Sequence, residues 1–243
     1  MTGLDPAVFR PSQARDARFT VRDRWAELVN HPPGTAAYRR EFLHRQMNEE
    51  ANVMEQAAQS LVDFPNEDWE IRLWLARQCA DEARHVQLYL RVLERRGIAV
   101  GEYPVINFQY RLLSGVDSLV CRLAIENRTF EADGLDAATF AVEEARAEGD
   151  HELAALLDTQ QADEIVHVGF ANEWIRRETK RDPRTLLRIA AALSRAAQAF
   201  ALVFEGGGAV RYPVADAERL EAGFAPAEVA VAAKLSAERR QAG

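Results

Sequence analysis

The chain has 243 residues, 48% of them apolar and 28% charged, with 30 Lys and Arg against 38 Asp and Glu, for a formal charge of −8. This composition is that of an ordinary soluble globular chain and excludes the collagenous, low-complexity and disulfide-scaffold classes. The acidic balance argues against nucleic acid or an anionic membrane surface as the main partner. Two cysteines, Cys79 and Cys121, and a first segment without an apolar leader set the expectation of a cytoplasmic protein with no membrane span.

Strand patterns are almost absent, and long helical periodicity dominates. Residues 1–35 read as a wrapping segment that ends at HPPG 31–34. Helices are predicted at about 36–62 and 67–96, with the turn FPN 64–66 between them. After RRG 95–97 and EYP 102–104 come helices at about 107–132 and 137–148, separated by DGLD 133–136, with Asp136 as the cap of the second. EGD 148–150 leads into 150–179, RDP 181–183 into 184–204, and EGGG 205–208 precedes a short helix near 226–240. Short turns between long amphipathic helices make antiparallel neighbours, so the fold expected is an all-α four-helix bundle over 36–180. The additional helices of 181–243 would pack on it.

One internal repeat outweighs the rest. Residues 78–86 read QCADEARHV and residues 160–168 read QQADEIVHV, the shared pattern QxADExxHV recurring 82 positions apart. In the first copy Ile71, Leu75, Gln78, Glu82, His85, Tyr89 and Val92 share one helical stripe. In the second, Leu153, Leu157, Gln160, Glu164, His167, Ala171 and Trp174 do the same. Each Glu-x-x-His therefore lies on an apolar, inward face. An ionised carboxylate there costs several kcal/mol unless it is paired or binds a metal, and Glu at i with His at i+3 presents an oxygen and a nitrogen on adjoining turns.

A di-metal carboxylate centre needs one more glutamate from each of two further helices. Counting back from the turn near Pro65 selects Glu49 or Glu50 and excludes Glu55; the stripe Leu43, Met47, Glu50, Met54 puts Glu50 inward. On the third helix the candidates are Glu131 and, as alternate, Glu126. Five residues apart, they point about 140° from one another on a regular α-helix, so both cannot serve. Glu131 precedes Glu164 by 33 residues, close to the 32 between Glu50 and Glu82. Asp81 and Asp163 are either surface residues or acceptors for the opposite histidine. Gln78, Gln160, Tyr89 and Trp174 are candidate walls of a substrate pocket.

The pattern Glu50, Glu82-x-x-His85, Glu131, Glu164-x-x-His167 resembles the ferritin-like di-iron superfamily. More narrowly, FPN 64–66, DEARH 81–85, EADGLD 131–136, DEIVHV 163–168 and RYPVADAERLEAGF 211–224 are similar to a bacterial ferritin-like family known only as a domain of unknown function. The resemblance implies a ferritin-like fold, supports Glu131, and supplies no substrate. That family usually carries Arg at the position of Asp133.

Four carboxylates and two neutral imidazoles carry −4, which two divalent ions balance, and the mixed hard oxygen and nitrogen set favours iron or a manganese–iron pair. The expectation is an oxidoreductase in which Glu82 and Glu164 bridge the ions and dioxygen is co-substrate. It would oxidise or oxygenate a small molecule with an external electron donor, as a monomer or homodimer. Beyond the ligands no catalytic residue or organic cofactor site is indicated. A ferroxidase or iron-storage role and a tRNA-hydroxylase-like role are the alternatives; the segments at both ends weigh against the first and the charge against the second.

Overall fold

Helix formation follows the apolar periodicity almost throughout the computed structural model, in which residues 4–32, 34–205 and 212–241 are described. The readings that fell on residues 1–3, Pro33, the glycines 206–208 and Arg211 lie outside them. The helices are α1 (Ala36–Asp63), α2 (Trp69–Arg95), α3 (Phe108–Leu113), α4 (Leu119–Ile125), α5 (Ala132–Ala147), α6 (His151–Arg181), α7 (Thr185–Val203), α8 (Asp216–Glu221) and α9 (Pro226–Gln241). A 3-10 turn (Trp25–Glu27) and a π-helical turn (Glu126–Glu131) complete the helical content. Among the described residues extended structure is limited to β1 (Val21–Arg22) and β2 (Val105–Ile106), paired in parallel with Val21 opposite Val105.

The protein packs as two compact units whose boundary, between Leu119 and Val120, falls inside the stretch 36–180. The first unit runs to Leu119 and includes the end of α7 from Ser194. Its frame is the α1–α2 hairpin. Thr35 caps α1 by accepting the Tyr38 amide at 3.1 Å. Leu43, Met47 and Ala57 of α1 are buried, as are Ile71, Leu75, Tyr89 and Leu93 of α2. Around Phe108 an aromatic cluster forms: its ring centroid lies 6.2 Å from Phe9, 5.8 Å from Phe200 and 5.6 Å from Phe204. Residues 12–15 lace onto α1 through polar side chains. Gln13 bonds Asn52 at 2.8 Å, and Arg15 pairs with Glu55. That pairing agrees with the exclusion of Glu55 from the inward set.

The second unit holds a second hairpin, in which α4, the π-turn and α5 run on to Gly149 and α6 returns. Gly149 takes φ +75°, the left-handed conformation that ends α5, while the Asp150 amide reaches back to Ala145 at 2.8 Å. Asp150 then caps α6 through the Leu153 amide at 3.2 Å. Ala132, Leu135, Val168 and Ala222 form a fully buried cluster flanked by Ile165 and Phe224.

Two predicted boundaries move. The helix predicted over 107–132 is interrupted between Leu113 and Leu119, where Ser114-Gly115 turns the chain and the Gly115 and Val116 amides close on Leu112 and Leu113. Conversely, no break occurs at 133–136. Gly134 is helical, and Asp136 is not a cap: it accepts from Arg219 Nε at 2.9 Å, from Arg219 Nη2 at 2.7 Å and from the Ala215 amide at 2.8 Å. Asp133 accepts from the same guanidinium at 3.0 Å. Burial opposes the Arg219 charge, but its Asp136 partner outweighs burial and raises the pKa above the usual arginine value. By length and composition alone α7 is apolar enough to cross a membrane, a property that core helices of soluble proteins share.

Candidate metal centre

In the first unit α1 and α2 bring Glu50, Glu82 and His85 together. All three are buried, and one ligand atom from each lies within 4.8 Å of the other two. His85 Nδ1 stands 3.1 Å from Glu50 Oε2 and 2.9 Å from Glu82 Oε2. Burial alone would depress the imidazole pKa; hydrogen bonds to Glu50 and then to Glu82 outweigh it and push the pKa up to about 11. Without a metal this triad therefore holds a proton where a cation would sit. Glu49, the neighbour that the turn count also allowed, is half-buried and faces Arg45 at 3.7 Å, leaving Glu50 as the inward glutamate.

In the second unit the same arrangement recurs. Glu131 at the end of the π-turn joins Glu164 and His167 of α6, again with one ligand atom from each within 4.8 Å of the others and all three buried. His167 Nδ1 lies 3.6 Å from Glu164 Oε2. The side-chain amide of Asn127, itself buried, donates to Glu131 Oε2 at 2.8 Å and orients that carboxylate.

Glu126 opens the π-turn and is only 1% exposed. On a regular α-helix Glu126 and Glu131 would exclude each other, but this segment is not one. A π-turn closes its hydrogen bonds five residues apart, so residues at i and i+5 stack on one side. The Thr129 hydroxyl donates to the Ala124 carbonyl, also five residues back, at 2.8 Å. Asn127 and the π-turn are the features that sequence reasoning missed. A Thr and an Asn between two glutamates were the available sign, since such side chains compete for helix backbone groups.

The other singled-out residues fall as follows. Asp81 pairs with Arg84 at 3.0 Å and Arg77 at 3.5 Å, on its own helix. Asp163 is half-buried. Gln78 and Tyr89 are buried in the first unit, Gln160 and Trp174 in the second, where Arg177 stacks over the Trp174 ring at 3.7 Å.

Each triad suits a hard cation. Donors bound at about 2.1 Å to one ion lie at most about 4.2 Å apart, so triads already within 4.8 Å need only small side-chain adjustment. Two carboxylates with one imidazole leave −2 to be neutralised in a buried place, which a divalent ion does when it displaces the His85 proton.

The fold and these donor sets define an all-helical protein with buried acidic and histidine clusters that could bind metal ions. The chain belongs to the family described as protein of unknown function (DUF455), which matches residues 5–230. No curated protein and no solved structure matches it.

Proposed function

We propose that Glu50, Glu82 and His85 of the first unit hold one metal ion and Glu131, Glu164 and His167 of the second another, with the ligand pattern of the ferritin-like superfamily. The protein is then a di-iron, or manganese–iron, oxidoreductase that uses dioxygen on a small molecule. The carrying observation is the repetition itself: each unit presents one glutamate and one Glu-x-x-His turn, buried and mutually close, with the Glu-x-x-His turns 82 residues apart. Four carboxylates and two neutral imidazoles match the charge of two divalent ions, and their hardness favours iron or manganese over copper.

A pair of such ions supplies redox equivalents for the reduction of dioxygen. The protein's own residues bind and orient the ions and keep water out. Asn127 fixes Glu131, and the apolar stripes of Tyr89 and Trp174 supply the dry surroundings that oxidative chemistry needs. An external electron donor would restore the reduced state. The test is anaerobic loading with ferrous iron followed by addition of dioxygen in an oxygen electrode. The proposal expects consumption above that of ferrous iron in buffer and its loss in His85→Ala and His167→Ala. A protein that binds iron yet consumes no dioxygen would overturn the oxidoreductase reading and leave metal binding.

A further inference from the structure

The π-turn carries two buried glutamates, one of which, Glu131, belongs to the second triad. Glu126 and Glu131 open and close the turn Glu126–Glu131, and the five-residue closure stacks them where a regular helix would separate them by about 140°. This turn packs against α6, the helix that carries Glu164 and His167. Both glutamates are buried, at 1% and 7% exposure, and a buried carboxylate is retained only with a proton, a cation or a hydrogen-bond donor to hold it. π-turns are rare, and one that stacks two acids beside a Glu-x-x-His turn is better explained by ligation than by packing, for which the shorter α-turn serves.

We propose that Glu126 is a further metal ligand, so that the second unit binds its ion with Glu126, Glu131, Glu164 and His167 while the first uses Glu50, Glu82 and His85. The proposal rests on the metal reading above and deepens it. Glu126 is not among the donors that already lie within 4.8 Å of one another; it reaches the ion by rotation about its side-chain bonds, as a long, unbranched carboxylate can. Three carboxylates against two make the halves unequal. The carboxylate-rich half holds a divalent ion more tightly, because affinity for hard cations rises with ligand charge. The two ions therefore bind in order, the second unit first.

The test uses Co2+, a redox-inert stand-in whose visible absorption reports coordination number. The intact chain, Glu126→Gln, Glu126→Asp and Glu131→Gln are titrated, with bound metal counted by equilibrium dialysis and folding checked by circular dichroism. The intact chain is expected to bind two Co2+ with unequal affinity. Glu126→Gln should weaken the tighter site tenfold or more and intensify its absorption as the coordination number falls, matching Glu131→Gln at the same site. Glu126→Asp keeps the charge on a shorter arm, should fall between the two, and carries the comparison if Glu126→Gln folds poorly. Wild-type affinities and spectrum in both Glu126 variants would overturn the proposal while leaving the two triads standing as metal sites. Failure of the intact chain to bind Co2+ would overturn those sites, and this proposal with them.

Discussion

Removing the carboxylate of Asp136 should destabilise the protein far more than a typical ion-pair mutation. Asp136 and Arg219 side chains are 9% and 8% exposed, and two of the three hydrogen bonds that Asp136 accepts come from that guanidinium. In Asp136→Leu the guanidinium stays buried, with Asp133 its one remaining acidic partner among the described residues, and that carboxylate is 73% exposed and screened by solvent. Breaking a buried pair by deleting one partner costs about 3–5 kcal/mol. For a chain of this size that corresponds to a fall in Tm of about 6–20 °C. Arg219→Met should cost a similar amount, since the carboxylate then keeps only the Ala215 amide. The double variant, with both charges replaced by apolar groups, should cost less than either single change. Urea and thermal denaturation of the four proteins measure this cycle. Single losses below about 1 kcal/mol, or a double loss equal to the sum of the singles, would refute the reasoning.

Three further outcomes follow from the same geometry. Burial holds the His44 pKa below its ordinary value of 6.5, and its Nε2 accepts the Gly101 amide at 2.8 Å. Its contribution to stability is therefore complete above pH 6.5 and lost as pH falls from there toward the lower folded value, at up to about 1.4 kcal/mol per pH unit; urea midpoints from pH 5 to 8 that parallel those of His44→Leu would contradict this. Because Glu50 and Glu82 hold the His85 proton up to about pH 11, uptake of a divalent ion at pH 7.5 should release protons. Calorimetric heats that do not change between buffers of different protonation enthalpy would contradict that. Gly101 has φ +87°, and a Cβ there would collide with the Arg18 carbonyl oxygen. Gly101→Ala should cost well above about 1 kcal/mol, whereas Gly149→Ala, with open space around it, should show the smaller loss in the same urea titration.

What the sequence made legible, and what it hid, follow from the range of the forces involved. Helix periodicity is local, so α1, α2, α6 and α7 fall within a few residues of their predicted ends. The inward faces were legible for the same reason: Glu50, Glu82, His85, Glu164 and His167 are all buried as the stripes require. Around 107–148 the reading failed because local signals were outvoted by tertiary partners. DGLD looks like a break, yet Asp136 is claimed by Arg219, 83 residues away, and the helix continues through it. Ser114-Gly115 falls inside the helix predicted over about 107–132, yet the chain turns there. The π-turn has no fixed sequence code, so the choice between Glu126 and Glu131 was posed on the wrong geometry.

The central claim, that each unit's triad holds a metal ion, is tested most directly by counting metal. Iron and manganese per chain would be measured by plasma mass spectrometry on protein purified without added metal and again after anaerobic ferrous loading. The comparison is between the intact chain, His85→Ala, His167→Ala and the double variant. The account expects two ions in the loaded intact chain, a clear shortfall in each single variant, and near-complete loss in the double one. Two ions per chain retained in the folded double variant would contradict it.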